Sequence, residues 1–222
     1  ALAPKGAKWF VAGELVETSQ RVAELEAQLS ELRAKVDGGG PRFAALYADF
    51  TDRFRGSTAE VTTKLAGYLP DVRRLVGAAA GAGGAGAGVV DVGSGRGEWL
   101  ALLRDAGIPA SGVDANPTFV EAGRARGLDM VHGDAVAHLH GLPPDSVDVV
   151  TAFHLIEHVD VETLLALLAA ALDALRPGGC VLLETPNPSN LRMAACDFHN
   201  DPTHRAPLPP ALTEYLVAAS GF

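Results

Sequence analysis

The chain has 222 residues, enough for one α/β domain of ordinary size with an appendage. Its hydrophobic content of 48% and mean hydropathy of +0.16 exclude a disordered protein. The formal net charge of −9 disfavours a nucleic-acid-binding protein, which would carry a basic stripe. The two cysteines, Cys180 and Cys196, have no paired or metal-type spacing, which favours a reducing, cytoplasmic setting. No apolar run reaches the ~18 residues that a membrane span needs.

The N-terminal third of the sequence has helical periodicity. Apolar residues between 22 and 36 alternate at steps of three and four, which predicts a coiled-coil seam in a helix over 13–36. This helix either forms a homodimer or packs on its own domain. A second amphipathic helix is predicted over 42–56. A third begins at Ser57 or Thr58 with Glu60 completing a capping box, and Pro70 should interrupt it.

Residues 77–88 consist only of glycine and alanine. This composition is typical of a flexible connector. It predicts a boundary between an N-terminal helical region, residues 1–76, and a second domain, residues 89–222.

Strand and helix patterns alternate after this connector. Strands are predicted over 89–92, 110–114, 128–132, 147–153 and 180–185. Helical segments are predicted over 97–106, from 117, over 134–139 and over 160–175, followed by a turn at Arg176-Pro177-Gly178-Gly179. This alternation predicts an α/β fold with a doubly wound, mostly parallel sheet. Ligands of such sheets bind at the carboxyl ends of the strands.

The end of the first strand has the pattern of a nucleotide-binding turn. Gly93, Gly95 and Gly97 follow the strand with the spacing G-x-G-x-G, and a helical pattern begins at once. Glycines allow a ligand to approach the backbone closely, and the helix directs its positive end at the same place. Asp114, which ends the second strand, can accept hydrogen bonds from ribose hydroxyls. The alternative is a structural turn with a capping aspartate.

These segments resemble the motifs of class I S-adenosylmethionine (SAM)-dependent methyltransferases. The matching residues are Val-Val-Asp-Val-Gly-Ser-Gly-Arg-Gly at 89–97, Gly-Val-Asp-Ala-Asn at 112–116, Gly133-Asp134-Ala135, the segment 148–159 and Leu175-Arg176-Pro177-Gly178-Gly179. The resemblance covers about residues 89–222. It implies a Rossmann-like fold and SAM as the cofactor. The family sheet normally closes with a strand and an antiparallel partner after the last helix, and this sequence lacks them. We therefore expect that the C-terminus is trimmed or disordered, or that another element completes the sheet edge.

The resemblance also implies which residues bind the cofactor. The turn Gly93, Ser94, Gly95 and Gly97 would hold the methionine moiety, with Asp91 ordering the turn. Asp114 would bind the ribose hydroxyls. The remaining contacts would come from Ala115, Asp134 and Ala135 at the adenine, and from Phe153 and His154 lining the cofactor from the fourth strand.

A second motif, His154-Leu155-Ile156-Glu157-His158, follows the fourth strand directly. If these residues open a helix, both imidazoles and the carboxylate lie on one face. The spacing also matches the H-x-x-E-H zinc motif of a peptidase class. That motif lies inside a long helix, whereas here a buried strand leads into His154. A third interpretation is that the histidines only pack near the cofactor.

The same motif is similar to the E-x-x-E-H of small-RNA 2′-O-methyltransferases, which bind a divalent ion together with a distant histidine. Glu157 and His158 match that pattern, and His154 replaces its first glutamate. His204 is the expected distant histidine, with His199 as its competitor. The resemblance thus implies a metal site of Glu157, His158 and His204, with His154 as a fourth ligand or the general base, and His154, Glu157 and His158 as catalytic residues. This ligand set suits Zn or Mn better than Mg, whereas the family resemblance favours Mg or Mn.

The acceptor is expected to be a sugar. The polar, proline-rich segments 184–190 and 197–207, with Arg53-Phe54-Arg55-Gly56-Ser57 upstream, are similar to sugar O-methyltransferases of bacterial polysaccharide biosynthesis. This group includes the methyltransferase domain of O-antigen chain terminators and the enzyme that methylates mannosides in methylmannose polysaccharide synthesis. We therefore expect a metal-assisted O-methyltransferase that acts on a mannoside or polysaccharide precursor. The alternatives are an RNA 2′-O-methyltransferase, a methyltransferase of small phenols, and a non-enzymatic SAM-binding partner protein.

Overall fold

The computed structural model describes residues 40–80 and 88–222 of the chain. The first helices in the described residues are α1 (Gly40–Phe54), α2 (Thr58–Leu65) and α3 (Leu69–Ala80), with a 3-10 turn at Ala66–Tyr68. Ser57 caps α2 through the expected capping box with Glu60. Pro70 is the second residue of α3, where a missing N–H costs nothing. The predicted coiled-coil helix over 13–36 lies outside the described residues, so the homodimer stays a prediction.

A single sheet of five parallel strands confirms the expected α/β fold. Its order is β3-β2-β1-β4-β5, with the bounds β1 (Val89–Val92), β2 (Ala110–Asp114), β3 (Met130–His132), β4 (Val147–Phe153) and β5 (Leu175–Glu184). The strand order reverses where β4 pairs with β1. Ligands of doubly wound sheets bind in the crevice at such a switch point, so the ends of β1 and β4 flank the expected site.

Helices cover both faces of the sheet, and four of the six that follow β1 in the chain begin at side-chain caps. These six are α4 (Glu98–Asp105), α5 (Pro117–Ala125), α6 (Ala135–His140), α7 (Val161–Ala174), α8 (Leu191–Ala195) and α9 (Pro210–Ala219), with 3-10 turns at Ile156–His158 and Asp197–Asn200. Asn116, Asp134 and Asp160 each accept a hydrogen bond from the first turn of α5, α6 and α7. Within the described part of the chain, no helix has both the length and the apolar character to cross a membrane.

The turn predicted at 176–179 is instead a bulge inside β5. Leu175 pairs with Val147 and Cys180 pairs with Val149, so four residues of β5 lie opposite Asp148 alone. Arg176 forms a salt bridge with the Asp148 carboxylate, which is buried. Because the buried pair holds the bulge against β4, the strand begins directly after α7 rather than at the predicted position.

Helices α2 and α3 pack on the same sheet as the rest of the described chain. Val61, Leu65 and Val72 belong to one buried cluster with Trp99 and with residues of β1 and β4. Residues from Ala44 to Phe222 accordingly form one unit. This unit begins well before the connector predicted at 77–88.

Candidate functional site

The turn after β1 is tight because its glycines lack side chains. Gly93, Gly95 and Gly97 have φ angles of 70°, 53° and 76°, which residues with a Cβ rarely adopt. A Cβ on Gly97 would lie 2.6 Å from Cδ1 of Leu128. Buried Ser94 closes the turn by donating its hydroxyl proton to the Asp91 carbonyl at 2.8 Å. The backbone of this turn is thus open to close approach by a ligand.

Two carboxylates flank the turn. The Asp91 side chain is buried under it and accepts the Thr151 hydroxyl at 2.7 Å. Burial raises the pKa of Asp91 to about 7. Asp114 accepts the Gly95 N–H and the Asn116 N–H, each at 2.7 Å, and burial raises its pKa as well. Each Asp114 oxygen keeps a further lone pair, which a ribose hydroxyl can use.

The residues predicted to contact adenine lie at neighbouring strand ends. Asp114 of β2 pairs with His132 of β3, which brings Ala115 and Asp134 to the same edge. Asp134 also caps α6, since its Oδ1 accepts the Ala137 N–H at 2.8 Å. The structure therefore clusters these residues, and their contact with adenine stays a prediction.

Helix α1 crosses the carboxyl edge of the sheet, a position that the sequence did not suggest. The Asn116 side-chain amide, after β2, donates to the Ala44 carbonyl at 3.0 Å. The Tyr47 hydroxyl donates to Oδ2 of Asp201, after β5, at 3.0 Å. Because these contacts lie beyond strands on both sides of β1, α1 passes over the crevice between them.

Arg55, directly after α1, reaches the crevice itself. Its Nη2 donates to the Phe153 carbonyl at 3.2 Å, and its Nη1 lies 3.4 Å from the place of a Cβ on Gly95. Its charge also acts on Asp91 and Asp114. A guanidinium beside the glycine turn is suited to bind a carboxylate through paired hydrogen bonds. Sequence analysis noted the segment that contains Arg55 but did not assign it to the cofactor site.

Phe153 ends β4, and His154 follows it directly. The Phe153 ring is buried, with its centroid 5.4 Å from Trp99 and 5.3 Å from Tyr68, while its carbonyl accepts a hydrogen bond from Arg55. That both residues line the cofactor stays a prediction. His154 has a φ of +56°, which is uncommon without glycine and occurs at functional sites. Its backbone N–H is held by the Glu184 carbonyl at 2.8 Å.

The His154 imidazole lies between two carboxylates. Its Nδ1 is 3.2 Å from Oε1 of Glu157, and its Nε2 is 3.0 Å from Oε1 of Glu184. Burial lowers the pKa of His154, but the bonds to the two carboxylates outweigh it and the pKa is raised. When the imidazole is protonated, both nitrogens donate to these carboxylates and neither keeps a lone pair for a metal. His154 is not among the three residues whose ligand atoms converge, and its role as a ligand or base stays a prediction.

Glu157, His158 and His204 converge on one point. Each offers one ligand atom, and these three atoms lie within 4.8 Å of one another. The predicted helical face does not form, because Glu157 and His158 occupy a 3-10 turn. The Arg205 N–H donates to the Glu157 carbonyl at 2.8 Å, which holds the loop of His204 beside this turn. His199, the competitor, is exposed and outside the group.

Glu157, His158 and His204 are called the ligand group below, and Glu157 is its anionic member. Its side chain is fully buried, and Oε2 accepts the Thr185 hydroxyl at 2.9 Å. Burial raises the pKa of Glu157, but the bond and charge of His154 outweigh this effect and the pKa is lowered. This buried carboxylate already pairs with His154, and its negative charge is also available to a metal cation.

Hydrogen bonds determine which nitrogen of each histidine can bind a ligand. His204 Nδ1 lies 2.7 Å from the Phe198 carbonyl, which only accepts, so Nδ1 carries the proton. His158 Nδ1 lies 2.8 Å from the Thr203 hydroxyl, whose own proton goes to Asp201 at 2.6 Å. Both imidazoles therefore keep the lone pair on Nε2. An oxygen partner on the other nitrogen is typical of metal-binding histidines, so the group fits a divalent cation.

A pocket of about 380 Å³ opens beside the ligand group. One wall is formed by α1 and the other by the segment after β5. Its lining includes Tyr47, Phe50, Phe54, Arg55, Lys64, His154, His158, Met193, Asp197, Asn200, Asp201 and His204.

A family model described as a methyltransferase domain matches residues 63–218. The chain belongs to this methyltransferase family. The match spans the connector predicted at 77–88, so α3 and part of α2 belong to the methyltransferase domain. SAM is the cofactor of the family, and binding of SAM by the glycine turn and Asp114 stays a prediction.

Known relatives agree with this assignment. The chain is 34% identical over 136 residues to a probable SAM-dependent methyltransferase of Mycolicibacterium smegmatis. These residues are 60% of this chain, and they span about half (51%) of that relative. A SAM-dependent methyltransferase structure from Archaeoglobus fulgidus superposes with a TM-score of 0.70 at 31% identity, covering 79% of this chain and 74% of that one. A putative methyltransferase from Haloferax volcanii, solved in complex with the Trm112 methyltransferase activator, gives a TM-score of 0.51 at 25% identity over 60% of each chain.

Proposed function

We propose that this methyltransferase domain transfers the methyl group of SAM to a sugar hydroxyl, assisted by a divalent cation. The observation that carries the proposal is the convergence of Glu157, His158 and His204 beside a pocket that Arg55 also lines. The Arg55 guanidinium in turn lies beside Gly95 of the glycine turn. The mixed nitrogen and oxygen ligands favour Mn or Zn on ligand preference, and Mg is the further candidate from the family resemblance.

The cofactor would lie across the ends of β1 and β2, with α1 above it. SAM supplies a methyl group on a positively charged sulfur. Asp114 is placed to accept the ribose hydroxyls, and the glycine turn leaves room for the methionine part. Arg55 is placed to bind the carboxylate of that part, because its guanidinium lies beside Gly95 and the Phe153 carbonyl.

The ligand group would bind the cation on the acceptor side of the pocket. A divalent cation held by these residues would lower the pKa of an acceptor hydroxyl and help to position its oxygen. In the transfer, the acceptor oxygen forms a bond to the methyl carbon, the carbon–sulfur bond breaks with its electron pair left on sulfur, and the hydroxyl proton is released to water. Glu157 would balance the charge of the cation, and Thr203 and Phe198 orient the two imidazoles. His154, held by Glu157 and Glu184, positions the Glu157 carboxylate.

The lining of the pocket supports a sugar acceptor. Asp197, Asn200 and Lys64 offer polar groups at its wall, and α1 offers aromatic rings. The net charge of −9 argues against an RNA acceptor. The aromatic rings alone would also suit a phenol, which is the second candidate.

The acceptor class is tested by incubating the domain with SAM, Mn²⁺ and one of three acceptors: methyl α-mannoside or linear α-mannotriose, a catechol, or a short RNA. Mass spectrometry then detects a mass increase of one methyl group. We expect methylation of a mannose-containing acceptor. Methylation of the catechol or the RNA alone would contradict the proposal.

A further inference from the structure

Helix α1 stacks three aromatic rings along the pocket. Tyr47, Phe50 and Phe54 follow each other at steps of three and four, so they share one face of the helix. The ring centroids of Tyr47 and Phe50 are 5.8 Å apart at an interplanar angle of 21°, and those of Phe50 and Phe54 are 4.7 Å apart at 25°. The Tyr47 hydroxyl donates to Asp201, so this end of the row lies beside the ligand group. The row therefore leads away from the ligand group along one wall.

The outer end of the row is exposed. The Phe54 side chain is 58% exposed although it lines the pocket. Tyr47 and Phe54 are seven residues apart, which at ~1.5 Å per helical residue is about 10 Å. This length exceeds a single sugar ring at the ligand group. Phe50 and Phe54, the aromatic platform, are thus available to a part of the acceptor that does not react.

Polar side chains also line the pocket. Asp197 and Asn200 lie in the 3-10 turn before the His204 loop, and Lys64 lies near the end of α2. These side chains can exchange hydrogen bonds with several hydroxyls. A pyranose has an apolar C–H face and a rim of hydroxyls, so it matches a pocket that combines aromatic rings with polar groups. A flat phenol offers fewer hydrogen bonds to these polar groups.

We infer that the aromatic platform is a subsite for a second sugar ring, one that lies next to the methylated ring of an oligosaccharide acceptor. This inference rests on the proposed function, because it takes the ligand group as the place of the reacting hydroxyl. The subsite would make activity depend on the number of sugar rings in the acceptor. The domain would prefer a saccharide of two or more rings to a monosaccharide.

The test compares methyl α-mannoside with linear α-mannotriose in the Phe54→Ala variant. Stacking on an aromatic ring is worth up to about one power of ten in binding. The kcat/KM for mannotriose should therefore fall about tenfold, while that for methyl mannoside stays nearly unchanged. Leu46→Ala is the matched control, since Leu46 is 62% exposed on the same helix and does not line the pocket. It should leave both values unchanged.

A second variant separates the subsite from the reaction. Phe54→Trp keeps an aromatic surface and places a fluorescent indole at the platform. A saturable change of its emission with mannotriose, without SAM, supports the subsite even if no saccharide is methylated, and then only the proposed function fails. No change of emission, or equal losses of kcat/KM for both acceptors in Phe54→Ala, overturns the subsite.

Discussion

Replacing Arg55 by methionine tests whether the guanidinium at the crevice binds the amino-acid end of SAM. Methionine keeps most of the length of the side chain but removes its charge and its hydrogen-bond donors. Arg55 is half-buried, and one of its nitrogens already donates to the Phe153 carbonyl. The change should therefore weaken binding of a carboxylate without disturbing the strands beneath.

The magnitude follows from the hydrogen bonds that are lost. A hydrogen bond to a charged group contributes about 2 kcal/mol net, which corresponds to a weakening of roughly 30-fold. Isothermal titration calorimetry with SAM measures this change. The same titration with methylthioadenosine, which keeps the adenosine but lacks the carboxylate, should give nearly equal affinities for wild type and Arg55→Met.

Arg53→Met is the matched control. Arg53 lies two residues earlier, is exposed, and has its guanidinium carbon 5.8 Å from the Phe54 ring centroid. This variant should bind SAM like the wild type. If Arg55→Met also binds SAM like the wild type, or loses SAM and methylthioadenosine equally, the assignment of Arg55 to the carboxylate is refuted.

Three further changes address the ligand group and the turn. His158→Ala should lower turnover by about 100-fold or more but leave SAM affinity nearly unchanged, because the lost nitrogen would bind the cation and not the cofactor; a large loss of SAM binding would make the residue structural. Thr203→Val should weaken Mn²⁺ binding by about 10- to 100-fold, because His158 loses the oxygen that orients it, whereas Thr203→Ser should bind normally; equal binding in both variants would contradict this role. The pKa of Asp91 is raised from 3.8 to about 7, so its protonated form stabilises the fold at low pH and this stabilisation is lost as pH rises through about 7. In urea unfolding of the cofactor-free domain, the wild type should therefore lose stability relative to Asp91→Asn between pH 4 and pH 8, and a difference that does not change with pH would contradict the assignment.

The sheet could be predicted where strands are defined by local sequence. The bounds of β1, β2 and β4 agree with prediction, because turn residues mark them: glycines flank β1, a proline precedes β2 and an aspartate ends it, and Pro143-Pro144-Asp145 comes before the buried run of β4. The start of β5 could not be predicted, since the bulge depends on the salt bridge between Arg176 and Asp148 of another strand.

The candidate site was predictable only at the ends of strands. Ligands of parallel sheets bind at the carboxyl ends of the strands, and this rule identifies the glycine turn, Asp114 and the motif after β4 as site residues. The same rule would also have identified Glu184 at the end of β5. Arg55 could not be assigned, because its place depends on how α1 crosses the sheet edge. Composition favoured a boundary at 77–88, but the apolar faces of α2 and α3 pack on the sheet.

The choice among the histidines depended on the loop after β5. Sequence spacing left His199 and His204 as competitors. The Phe198 carbonyl orients the His204 ring, and Arg205 holds its loop against Glu157. The contact with Glu157 joins segments far apart in sequence, and the contact with Phe198 depends on how the loop folds, so local patterns carry no signal for either.

The most direct test of the account is the rate of methyl transfer from SAM to mannotriose after chelator treatment, measured as Mn²⁺ is added back. We expect the stripped wild-type domain to be inactive and to recover with saturable Mn²⁺ dependence, whereas Glu157→Gln does not recover. A stripped wild-type domain that methylates mannotriose as fast as the untreated one would contradict the role of the cation and of the three residues that converge on it.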